Sequence, residues 1–247
     1  MWELGGINSN DAEEKVELVD YDEKAEEKLT SYALYQYTSA PLAELREKAG
    51  KMSTEEKDKI LSAYVGQRNN RRQKPGRGFE NIYYTFDILA NFGAYRDLQR
   101  HRVLTQERQL ISCRHGYTLP SEVVEAGYES DYRDAMEVAR QSWEKINEKM
   151  PKQAQYVVPL AYRIRWYFTL NLREAIHLCE LRSGQQGHPD YRKIAQKMYT
   201  EINRVHPSLG KYLQFVDMKE YSMERIDAEK RIDKKMQEME KKYAKSL

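Results

Sequence analysis

Residues 163–182, RIRWYFTLNLREAIHLCELR, change character once. RIRWYFTLN, rich in aromatic and branched side chains, predicts a strand; LREAIHLCELR predicts a helix. On that helix Leu172, Ala175, Ile176 and Cys179 share one face, and Arg173, His177 and Glu180 fall together on the adjacent one. A strand followed by an amphipathic helix points to an α/β chain.

The remaining segments agree. KVELVDYD (15–22) alternates as a short strand does, and 23–34 favours helix. Pro41 stands at a helix start before LAELREKAG, whose glycine is expected as a C-cap. Ser53 or Thr54 predicts the N-cap of STEEKDKILSAYVGQ. FENIYYTFDILANF (79–92) predicts one long strand. Residues 120–150 predict a long helical region broken near Gly127, and DYRKIAQKMYTEINRV predicts an amphipathic helix stopped before Pro207. From about Tyr221 the charges alternate, with Ala228, Ile232, Met236, Met239 and Tyr243 at helical spacing. No internal repeat is visible. The reading is α/β (α+β), richer in helix than strand, with one domain over 1–219 and a charged helical tail over 220–247.

Length and composition exclude some functions. A chain of 247 residues can bury a sizeable core, and a net charge of +2 supplies no global field for nucleic acid. Any anion site must be local. Cys113 and Cys179 match no metal-ligand spacing, so no metal is expected. With no disulfide framework and no apolar leader, a cytoplasmic protein is expected, and no run approaches the ~20 apolar residues that span a membrane.

Polar residues concentrate in three places: the loop from Arg68 to Arg77, the segment from Arg96 to Arg114, and the helix carrying Arg173, His177 and Arg182. Arginines this dense repel one another unless an anion sits opposite them, and arginine binds phosphate bidentately. Each cluster alone also reads as a solvated surface. Together they favour a phosphate-bearing ligand.

The middle cluster contains QRHRVLTQERQ, which resembles the arginine-histidine-arginine signature of the flavin-dependent thymidylate synthases. VELVDYD resembles that family's first strand, and FENIYYTF its FEH..FTF strand. VVPLAYRIRWYFTLNLREAIHLCELR (157–182) resembles its C-terminal block. The resemblance implies that family's fold, a mixed sheet with long helices, in a homotetramer with FAD at subunit interfaces. The implied reaction moves a one-carbon group from methylenetetrahydrofolate to C5 of a uracil nucleotide, dUMP or a related one, with NADPH as reductant. It further implies that Arg100, His101 and Arg102 contact flavin and nucleotide, and that Glu80, Asn171, Arg173 and His177 lie at the FAD. Arg182 would lie against the pyrimidine, the one residue here given a catalytic role. Glu107 and Arg108 would face the nucleotide.

The pattern also departs from the family. Leu110 stands where a serine approaches the uracil, LISC replaces SGRY, Gln155 replaces a nucleotide-binding arginine, and Asp97 replaces a glutamine. Each lost charge-assisted hydrogen bond is worth roughly 1.5–3 kcal/mol, so two cost ~100-fold or more in affinity. Three readings follow: a divergent flavoenzyme acting on a uracil nucleotide, an inactive binding or assembly subunit of the same fold, and an RNA-binding protein using RNNRRQKPGR. Near-neutral charge disfavours the last.

Overall fold

The computed structural model describes residues 13–221 and 234–236. Four strands, β1 (Lys15–Tyr21), β2 (Tyr83–Asn91), β3 (Leu104–Arg108) and β4 (Arg163–Asn171), form one sheet in the order β1-β2-β4-β3. The α/β class holds. The sheet, however, is antiparallel at all three pairings rather than mixed, because each strand runs opposite to the neighbour it meets.

One face of the sheet is dry. Tyr84, Phe86, Ile88 and Ala90 of β2, with Ile164, Trp166, Phe168 and Leu170 of β4, are buried. Each large side chain there contributes about 1.5–3 kcal/mol by leaving water. The opposite face is polar: Thr85 and Thr169 share a hydrogen bond of 3.0 Å, and Arg165 pairs with Asp87 at 2.9 Å.

Helices α1 (Ala25–Tyr35), α2 (Leu42–Lys51) and α3 (Thr54–Val65) precede β2. Ser53 caps α3 through a full capping box with Glu56. Gly50 is not a C-cap, since α2 runs through it to Lys51. The predicted strand over 79–92 is trimmed at both ends. Residues Arg77–Asn81 form a 3-10 turn, held where the Gly78 amide donates to the Tyr64 hydroxyl at 2.9 Å, and Phe92 already belongs to a helix. A Cβ at Gly76 would collide with the Tyr64 ring.

After β2 come α4 (Phe92–Leu98) and, beyond β3, α5 (Ser121–Glu125) and α6 (Glu129–Asn147). Gly127 separates the last two with a φ of 79°, as its place in the sequence predicts. The short α7 (Pro151–Ala154) leads to β4, α8 (Leu172–Arg182), α9 (Pro189–Val205) and α10 (Pro207–Gly210). The tail read as helical lies outside the described residues apart from 234–236.

The structure contains a two-fold repeat that the sequence hides. β2–α4 and β4–α8 are the same unit, a strand ending in an asparagine that caps the next helix. Asn91 accepts from the Ala94 amide at 2.8 Å and Asn171 from the Glu174 amide at 2.9 Å. The Phe92 amide donates to the Tyr162 carbonyl, and reciprocally the Leu172 amide donates to that of Ile82. Each strand thus ends beside the start of the other.

Candidate functional site

Helix α8 gathers residues from all three polar concentrations along its length. His101 follows α4 and is buried. Its Nε2 lies 3.0 Å from Arg182 Nε, and its Nδ1 lies 2.7 Å from a carboxylate oxygen of Glu174. Arginine can only donate, so Nε2 accepts and Nδ1–H donates to Glu174. Arg182 also donates to the Asp97 carbonyl at 2.9 Å and stacks over the Tyr191 ring at 5.4 Å. The His177 ring stands 5.5 Å from that of His101.

The basic loop folds onto this cluster. Arg68 is buried and grips Glu180 of α8 through two contacts of 2.9 and 2.6 Å, while donating to the carbonyls of Tyr212 and Gln73. Arg173 reaches back to the Pro75 carbonyl at 2.9 Å and to Glu80 at 3.3 Å. Between these anchors Lys74 places its Nζ 2.6 Å from His177 Nδ1. Burial lowers the pKa of Lys74, with Arg68 and Arg173 adding to it against the carboxylates of Glu180 and Glu174. Burial also lowers that of His177, and Lys74 beside it acts in the same direction. Glu80 is held below the usual carboxylate range by its hydrogen bond from Arg77.

Of the residues expected at a site, the fold brings His101, Arg173, His177, Arg182 and Glu80 together around α8. Asn171 is present as the helix cap. Arg100 and Arg102 flank His101 but point outward; Arg100 meets Asp97 at 3.4 Å, and Arg102 makes no ion pair among the described residues. Glu107 and Arg108 stand apart. They pair with Tyr167 and Trp166, four and five residues up β4 from Asn171, roughly 13–17 Å away along the strand. Arg108 donates to Gln155 at 3.1 Å, so one residue expected at the nucleotide is engaged by a residue that departs from the family pattern. The Ile111 amide donates to the same Gln155 oxygen at 3.0 Å. Leu110 between them is 52% exposed.

Two members of the cluster have no signal in the sequence. Glu174 looks like an ordinary acid in a first helical turn, and Lys74 like one more cation in a polar loop; their partners lie 73 and 103 residues away. His101, Glu174 and His177 offer ligand atoms within 4.8 Å of one another. A metal ion is nonetheless disfavoured. Both His101 nitrogens are engaged, and Lys74, Arg173 and Arg182 crowd the same volume with positive charge. The arrangement suits an anion.

Comparison with known proteins identifies the family. The family described as thymidylate synthase complementing protein matches residues 17–208. The chain belongs to that family. It is 44% identical over 216 residues to a UPF0159 protein of Chlamydia pneumoniae, covering 87% of this chain and 41% of the relative. To a UPF0159 protein of Thermoplasma acidophilum it is 40% identical over 221 residues, covering 88% and 44%. The chain therefore spans less than half the length of these curated relatives. A flavin-dependent thymidylate synthase of Clostridium tetani is 24% identical over 225 residues, covering 80% of this chain and 86% of that one. Among solved structures, a UMP/dUMP methylase, PolB of Streptomyces cacaoi, bound with 5-Br dUMP, superposes with a TM-score of 0.64 at 19% identity. That match covers 82% of this chain and 95% of the other, and it establishes the fold. Among the described residues no helix is long and apolar enough to cross a membrane.

Proposed function

We propose that this chain binds FAD and a uracil nucleotide and serves FAD-dependent transfer of a one-carbon group from methylenetetrahydrofolate to C5 of the uracil. The observation that carries the reading is the excess of fixed donors along α8. Arg173 is held by Pro75 and Glu80, Arg182 by Asp97 and His101, and Lys74 by His177. Family membership and the two names that mention flavin or uracil nucleotides support it.

The donor set fits such a ligand. A dinucleotide phosphate needs cations and N–H groups already oriented, and Arg173, held by Pro75 and Glu80, and Lys74, beside His177, supply them, with Arg102 exposed next to His101 as a further cation. The flavin, when bound, supplies the one-carbon relay and the hydride chemistry. The chain's own part is positioning. Arg182 has Nε committed to His101 and one Nη2 proton to Asp97, which leaves Nη1 to donate to a pyrimidine carbonyl. Such a donor stabilises the negative charge that spreads onto the carbonyl as C5 attacks. Glu174, through His101, fixes the angle of that guanidinium. NADPH as reductant and a homotetrameric assembly belong to the same proposal.

A second reading, an inactive binding or assembly subunit, is favoured by one observation. Arg108, Gln155 and the Ile111 amide satisfy one another, with Leu110 exposed between them. Titration of the purified protein with FAD, followed by visible absorbance and repeated with dUMP and with UMP, separates the two. Flavin binding with a spectral shift on adding either nucleotide is expected. Flavin binding blind to both supports the inactive subunit, and absence of flavin binding overturns the flavin reading.

A further inference from the structure

Lys74 occupies an unusual position for a loop lysine. The residue before it is tied by its carbonyl to Arg68, and the residue after it by its carbonyl to Arg173. Arg68 is itself clamped by Glu180 and the Tyr212 carbonyl, so the loop is anchored to α8 on both sides of Lys74. The flanking Gly76 is packed against Tyr64, which closes a third side. With its neighbours fixed, the side chain runs to one atom, Nδ1 of His177, at 2.6 Å.

We propose that Lys74 is a positioning residue of the site: it donates to His177 Nδ1 and fixes that ring as the Nε2–H tautomer, a donor held ready for an acceptor oxygen of the ligand. An ammonium has only donors, so the contact requires Nδ1 to accept and moves the ring proton to Nε2. The groups facing the pair come from every side. They are Arg173, Glu174, Glu180 and Arg182 on α8 itself, His101 across the cluster, and Arg68 in the loop. The lowered pKa of His177 agrees with a neutral ring whose tautomer is the open question at neutral pH. Two donors would then converge on the ligand by different routes, Arg182 set by His101 and Glu174, and His177 set by Lys74.

The test reads the tautomer directly. Long-range proton–nitrogen correlation spectra of the nitrogen-15-labelled full chain at pH 7.5 are assigned for His177 by comparison with His177→Gln. The wild-type ring is expected to show a bare Nδ1 and a protonated Nε2. Lys74→Met should move both signals toward the average of the two tautomers, and Lys74→Arg, which still donates, should restore them. A wild-type ring protonated at Nδ1, or a Lys74→Met spectrum identical to wild type, overturns the inference. FAD titration of the same proteins is the second arm and rests on the flavin reading; Lys74→Met should bind FAD about tenfold more weakly and Lys74→Arg within about twofold. If wild type binds no FAD, the flavin reading fails, and the tautomer spectra decide the role of Lys74 by themselves.

Discussion

Arg68 and Arg182 lie at opposite ends of one polar cluster, and their surroundings assign them opposite jobs. Arg68 and Glu180 have side chains 1% and 0% exposed, so neither charge can recover water if its partner goes. Arg68→Met should therefore lower stability by about 3–5 kcal/mol in urea unfolding, by stranding the Glu180 carboxylate. Arg68→Met combined with Glu180→Leu should regain most of that loss, since the pair's attraction largely offsets its own desolvation. Arg182 is half-buried and has donors to spare. Arg182→Ala should cost about 1–3 kcal/mol by orphaning His101 Nε2, yet lower uracil-nucleotide turnover by roughly 10²–10³. Arg182→Lys should recover little, because one ammonium cannot reproduce the planar fork that reaches His101 and Asp97 together. Unchanged turnover in Arg182→Ala would remove it from the site.

At the scale of elements, the two strand–asparagine–helix units offer a paired experiment. Both caps accept one amide hydrogen bond, so Asn171→Ala and Asn91→Ala should each cost about 1 kcal/mol or more. Aspartate should split them. At Asn171 it keeps the acceptor and adds negative charge to a helix start whose first turn carries Arg173, so thermal stability should hold. At Asn91 the amide donates to Asp190 at 2.7 Å, and aspartate would set two carboxylates against each other. Asn91→Asp should melt well below Asn91→Ala. Equal melting of the two aspartate variants would contradict the placement of Asp190. The strands and helices of these units were legible because branched and aromatic runs give way to helical spacing at one point, over 163–182 above all. The units' equivalence was not, because most residues after Asn91 and Asn171 differ, and it is the shared cap geometry and the reciprocal amide–carbonyl bonds that relate them. The split of 95–110 into the end of α4 and the edge strand β3 was equally hidden, since both pieces are short and arginine-rich. His101, Arg173, His177 and Arg182 were readable from their motifs. Lys74 and Glu174 were not, because tertiary packing alone brings them to their partners.

For the whole molecule, the proposed binding surface is a set of cations whose partners lie far along the chain, so folding and assembly of the cluster are one event. Protonation should report on this. His206 is buried at the end of α9, where its Nδ1 shares a hydrogen with the Tyr84 hydroxyl at 2.9 Å. Burial lowers its pKa below the ordinary value of 6.5, only partly offset by Glu26 and Asp22 beside it. His177 is lowered in the same way by burial and by Lys74. A group whose folded pKa is depressed stabilises the fold fully above its unfolded pKa and loses that contribution as pH falls through the folded value. The melting temperature should accordingly be flat from about pH 8 to 6.5 and decline below it, before the carboxylates titrate. His206→Asn, which cannot take up the proton, should melt lower than wild type at pH 7.5 but decline less steeply between pH 6.5 and 5. If wild type and His206→Asn decline in parallel, the buried histidine at the end of α9 is not what makes the fold sensitive to acid. If instead the variant flattens the curve while FAD binding keeps its own pH dependence, the remaining titration belongs to the cluster around His177.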